Sequence, residues 1–166
     1  MVADGLGHGA RAAEAAQAAV RIFHDRAAAG PAAVLQAAHL GLRNTRGAAL
    51  AIAEIDRAAG AVRFAGIGNI AATILGPDGE RGTNLVSHNG TVGHEMRKVQ
   101  EFVSPWPEGS LLVMHSDGLG THWRLGRYPG LVARHPSLIA GVLYRDFKRG
   151  RDDVTVLVAR DASNRP

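Results

Sequence analysis

The sequence predicts an α+β fold. Three observations carry that reading: an Ala-rich helical pair at the front, a middle of short apolar runs separated by Gly-containing turns, and one helical stretch before a last apolar run. Helices and strands are grouped along the chain instead of alternating. That grouping favours antiparallel sheets over a doubly wound parallel one.

Each element has its own warrant. Residues 9–29 are rich in Ala, the best helix former, with Val20 and Phe23 on one face and Arg11, Glu14 and Arg21 interspersed. Gly30-Pro31 reads as a helix stop followed by a restart. A second helix follows over 31–42, with Val34, Leu35, Ala38 and Leu42 spaced for one buried face. After Asn44 the period changes. "AALAIAEI", the turn "DRAAG" and "AVRFAGIG" predict a hairpin, and "NIAATIL" a further strand ending at the turn Gly76-Pro77-Asp78-Gly79. Residues 80–95 read as strand and loop, and "KVQEFVS" as a strand. The rigid turn Pro105 to Gly109 leads into the buried strand "SLLVMHS". Residues 128–147 are mostly helical in pattern, and "DVTVLVAR" is the last strand.

At 166 residues the chain is long enough for one substantial core, expected over 1–160 with a tail at 161–166. It has no Cys, which excludes disulfides, zinc–thiolate sites and thiol catalysis and suits a cytoplasmic protein. No apolar run reaches membrane-spanning length, and no secretory signal opens the chain. The formal charge of +4 is spread over many Arg residues. Its densest cluster, Arg145 to Arg151, is interrupted by Asp146, and aromatic residues are only 5%. A nucleic-acid-binding stripe would need interleaved aromatics, so neither nucleic acid nor membrane is an expected partner.

Three acidic stations stand where apolar strands meet turns: Asp4 in "DGLGHG", Asp117 in "SDGL", and Asp152-Asp153 in "RDDVTVLV". Carboxylates converging at one sheet edge would repel each other. A hard divalent cation such as Mg²⁺ or Mn²⁺ relieves that repulsion. The glycine phase of the first station does not match a P-loop or a dinucleotide-binding fingerprint, so a phosphate cradle at the helix start is disfavoured.

These stations, in this order, with the middle step "FAGIGNI", resemble the SpoIIE-type branch of the metal-dependent, type 2C-like protein serine/threonine phosphatases. The stretches "NGTVGHEMRKVQEF" and "RGRDDVTVLVAR" look most like the small, RsbX-like phosphoserine phosphatases associated with stressosomes. The resemblance implies an α-β-β-α sandwich of two mainly antiparallel sheets flanked by helices. It implies two Mn²⁺ or Mg²⁺ ions, with Asp4 bridging both, Gly5 lending its carbonyl, and Asp117 and Asp152 on the second. Asp153, Asn69 and His8 would stand behind the ligands. The implied activity is hydrolysis of phosphoserine or phosphothreonine by a hydroxide bridging the two ions. The implied partner is a phosphorylated STAS-domain protein or stressosome component.

Two departures matter. The position two residues after Asp4, a His in eukaryotic members, is Leu6 here. The family pattern also implies a strand and an acidic residue before Asp4, so the fold is expected to be N-terminally truncated, with weakened metal affinity and activity. A catalytically impaired binding module in the same pathway is the competing reading. His88, His94, His115 and His122 are disfavoured as metal ligands: only His115 and His122 flank the second station, neither matches a ligand position of the family, and His115 is expected to pack because it points away from the face of Ser116.

Overall fold

The computed structural model describes residues 1–80, 82–150 and 152–161. Among the described residues, eight strands and three α-helices form two sheets and their covering layers. In chain order they are β1 (Val2–Gly5), α1 (Ala10–Arg26), α2 (Pro31–Gly41), β2 (Ala48–Asp56), β3 (Ala61–Ile67), β4 (Ala71–Leu75), β5 (Gly82–Leu85), β6 (Phe102–Pro105), β7 (Leu111–His115), α3 (Pro136–Phe147) and β8 (Val156–Arg160). One sheet has the order β1-β2-β3-β6 and the other β5-β4-β7-β8. Every strand pair is antiparallel.

Side-chain alternation explains the layering. On β2, Ala49 and Ala51 face the second sheet, while Leu50 and Ile52 face the helices. On β7, Leu112 and Met114 face the first sheet, and Leu111 and Val113 turn to α3. Both faces of each sheet are covered, so these strands read as unbroken apolar runs. Between the sheets lie Val62, Phe64, Ile74 and Trp106. Over the first sheet, α2 buries Val34, Leu35 and Ala38, with Leu42 just beyond its end. Over the second, α3 buries Ile139, Leu143 and Phe147. The result is the α-β-β-α sandwich. Strand β1 holds one edge of its sheet, paired to β2 alone.

Four local expectations are corrected. The buried stripe of α1 is Ala12, Ala15 and Ala19, and Val20 stays 40% exposed. Small side chains there let the helix lie close on the sheet. The helical stretch at 128–147 is split. Gly130 is left-handed, a short 3₁₀ turn covers Leu131–Ala133, and α3 starts only at Pro136. His135, pushed out of helical geometry by the proline after it, accepts a hydrogen bond from the Ser137 amide at Nδ1. The strand expected over "NIAATIL" is β4 and begins only at Ala71, leaving Asn69 in the turn before it, and "KVQEFVS" is strand only from Phe102. Of the tail, Asp161 pairs with Arg57 at 2.9 Å, and 162–166 lie outside the described residues. So does Arg151, and Arg145 of that cluster is paired with Asp146. No helix among the described residues is long and apolar enough to cross a membrane.

Candidate metal centre

The first station is built by glycines. Asp4 pairs with Ala49 across β1 and β2, and the Leu6 amide donates to the Gly47 carbonyl at 3.0 Å, turning the chain off the sheet. Gly9 has φ 77° and caps α1, its carbonyl accepting from Ala12 and Ala13. Gly5 has no room for a side chain, because a Cβ there would run into the Ala12 carbonyl. Its glycine identity therefore follows from the close approach of α1. At Gly7 the open space is taken by Arg46, whose Nη1 lies 2.6 Å from where a Cβ would stand. A guanidinium thus reaches the rim of the site from the α2–β2 turn.

The other two stations are laced together by Ser116. Its amide donates to the Thr155 carbonyl at 3.1 Å, and its Oγ accepts from the Thr155 amide at 3.0 Å. The loop carrying Asp152 and Asp153 is thereby held against the end of β7, next to Asp117. Gly118 completes the contact, since a Cβ there would collide with the Asp153 carbonyl. Asp117 Oδ2 accepts a hydrogen bond from Asn69 Nδ2 at 2.5 Å. Asn69 comes from the β3–β4 turn, so that carboxylate is oriented from across the sandwich.

Together Asp4, Gly5, Asn69, Asp117, Asp152 and Asp153 line one pocket of about 220 Å³. His8 is exposed and is not among its lining residues. Burial first, then the charges of Asp117, Asp152 and Asp153, push the Asp4 carboxyl above its ordinary value. None of the four aspartates is ion-paired among the described residues. Nor do three His, Asp or Glu side chains there close into a ready-made cage for one ion. The donor set instead suits cations that keep several waters and take one or two carboxylates each, as Mg²⁺ does. The residues present therefore fit hard divalent ions.

The histidines lie elsewhere. His94 Nε2 bonds the Thr45 carbonyl, His122 packs edge-on to Phe147, and His88 stacks on Phe102. His115 is 2% exposed, with Nδ1 on the Ser116 carbonyl and Nε2 accepting from Trp123 Nε1 at 3.2 Å. That pairing needs a neutral ring, and burial lowers its pKa. The unfolded chain therefore binds the proton first. Stability is full above about 6.5 and is lost as pH falls from there to the lower folded-state value. Urea midpoints measured down a pH series should decline below that point, and less so in His115→Gln. An unchanged slope in the variant would assign the decline to other groups.

Ser116, Gly118 and Arg46 were not singled out from sequence. The first two had a signal, a small hydroxyl residue and a glycine flanking the acid in "SDG". Arg46 had none, because only folding brings it over Gly7.

The profile of the family described as Stage II sporulation protein E (SpoIIE) matches residues 1–161. A structure from work on the bacterial stressosome, described as a modular system adapted to control secondary messenger signalling, is 30% identical with a TM-score of 0.85, covering 95% of this chain and 82% of that one. RsbX in complex with magnesium is 21% identical with a TM-score of 0.76, covering 94% and 76%. The PP2C phosphatase domain of SpoIIE from Bacillus subtilis, solved with a fragment of its regulatory domain, is 23% identical with a TM-score of 0.75, covering 96% and 53%. A search of curated proteins finds no match.

Proposed function

This chain belongs to the SpoIIE family of protein phosphatases, and from that premise we propose that it hydrolyses phosphoserine or phosphothreonine on a bacterial regulatory protein at the four-aspartate pocket. One observation supports the reading above the others: carboxylates from three distant segments line a single pocket, with no cation paired to them among the described residues. Two Mg²⁺ or Mn²⁺ ions, when bound, would neutralise those carboxylates and supply an acidified water and a Lewis acid for the phosphoryl group.

The chain's own residues have separable roles in this proposal. Asp4, Asp117 and Asp152, with the Gly5 carbonyl, hold the ions. Asn69 fixes the orientation of Asp117, and Asp153 adds negative charge beside Asp152. Arg46, with no ion pair among the described residues, offers a guanidinium to a phosphate oxygen at the rim. Asp153 and the exposed His8 are given no proton-transfer role. The nearest chemical partner is a phosphorylated STAS-domain or stressosome protein in the cytoplasm, consistent with the stressosome context of the 30%-identical structure.

Calorimetric titration with Mn²⁺, followed by turnover of p-nitrophenyl phosphate and a phosphoserine peptide, tests this. Metal-dependent turnover that falls by at least about 100-fold in Asp117→Asn supports it. Tight partner binding with no turnover at any metal concentration would replace it with a binding module.

A further inference from the structure

A second pocket, of about 440 Å³ and larger than the aspartate site, is formed by the segment between β5 and β6, with His88, Asn89, Glu95, Arg97 and Lys98 on its walls. We propose that it receives an acidic side chain of the protein substrate, flanking the phosphorylated residue. This rests on the phosphatase reading above.

Three observations support it. First, Arg97 and Lys98 are exposed and make no ion pair among the described residues, so two cations face the pocket free to bind. Second, the His88 ring on the pocket wall is held in place by stacking on Phe102. Third, the walls are preformed. His88 exchanges backbone bonds with Gly66 and Gly68 at 2.9 and 2.8 Å, Val92 does so with Ala48, and Thr91 donates to the Glu95 carbonyl at 2.8 Å.

Those bonds also set the pocket's relation to the metal site. Gly68, which holds His88, is the neighbour of Asn69, which holds Asp117. The β3–β4 connection therefore lines the aspartate pocket through Asn69 and holds a wall of the basic pocket through Gly68. A peptide with its phosphorylated residue at the aspartates would bring a residue a few positions away to Arg97 and Lys98. An acidic residue at that place would be welcomed by the basic wall. Glu95 limits the pocket to one such side chain, since a run of anions would meet its carboxylate. The recognition is thus a matching of charge register along the substrate.

The test compares two phosphoserine peptides, one with Asp residues flanking the phosphorylated position and one with Asn there. Wild type should favour the Asp peptide in kcat/KM by about three- to tenfold, the range for two exposed ion pairs. Arg97→Ala/Lys98→Ala should erase the preference while leaving p-nitrophenyl phosphate turnover within about twofold, because both side chains are exposed and lie outside the metal site. No preference in wild type, or an equal loss on p-nitrophenyl phosphate, would overturn the proposal. Should no substrate be turned over at all, the phosphatase reading fails separately. Anisotropy of the same labelled peptides with Mg²⁺ then decides the pocket: tighter binding of the Asp peptide that is lost in the double variant supports it, and equal binding overturns it.

Discussion

Asp4→Asn should stabilise the metal-free protein while removing its metal-dependent turnover. The Asp4 carboxyl is pushed above its usual range by burial and by Asp117, Asp152 and Asp153, so in the absence of cations its charge is unfavourable in the fold. An amide of the same shape carries no charge and relieves that repulsion. The pH sign follows from linkage. A carboxyl whose folded-state value is raised makes the metal-free protein lose stability as pH rises from about 3.8 to that raised value, and the Asn variant lacks this loss. Bound Mg²⁺ or Mn²⁺ would reverse the balance, stabilising wild type through the same carboxylates. Thermal melts with and without metal should therefore show a higher metal-free midpoint in the variant, and no metal-induced rise. Turnover should fall by at least about 100-fold, beyond the loss expected for a group that only supports a ligand. A lower metal-free midpoint would mean that the carboxylate holds the fold together, and that the repulsion argument is wrong.

Gly118→Ala should damage both stability and the site. The new Cβ would strike the Asp153 carbonyl, which is backbone and cannot rotate aside. The loop from Asp152 to Thr155 must move, straining the bonds it makes to Ser116. Overpacking of this kind costs about 1–3 kcal/mol, or a fall of roughly 2–10 °C in Tm for a domain of this size. Turnover should drop further than stability explains, because the moved loop carries two of the four aspartates. Gly141→Ala is the control. That glycine lies within α3 with open space at its Cβ, so the change should raise stability by up to about 1 kcal/mol and leave turnover alone. If Gly118→Ala behaves like the control, the close approach does not position the loop.

The layer order was legible because alternation and turn chemistry are local. "AALAIAEI" and "SLLVMHS" announced strands, and Gly30-Pro31 marked the break between α1 and α2 where φ 85° at Gly30 requires a glycine. Local signals failed where a competing term won. A helical period at 128–135 gave way to Gly130 and to the proline that starts α3. On α1 the larger side chains suggested one face, but the sheet selected the alanine stripe, because a closer approach buries more surface per residue.

The acidic stations had the same character. Each was visible as an Asp beside a turn, and their convergence was an expectation carried by resemblance. What the residues and their order settle is chemistry: no thiol, hard oxygen donors, strands apolar on both faces, and glycines wherever the chain must turn steeply. What folding alone settles is proximity. Asn69 reaches Asp117, Arg46 covers Gly7, Ser116 ties down the loop of Asp152 and Asp153, and the β3–β4 connection serves both the aspartate and the basic pocket. Each of these depends on the register between strands far apart in the chain. A shift of one residue there would turn every such side chain to the opposite face.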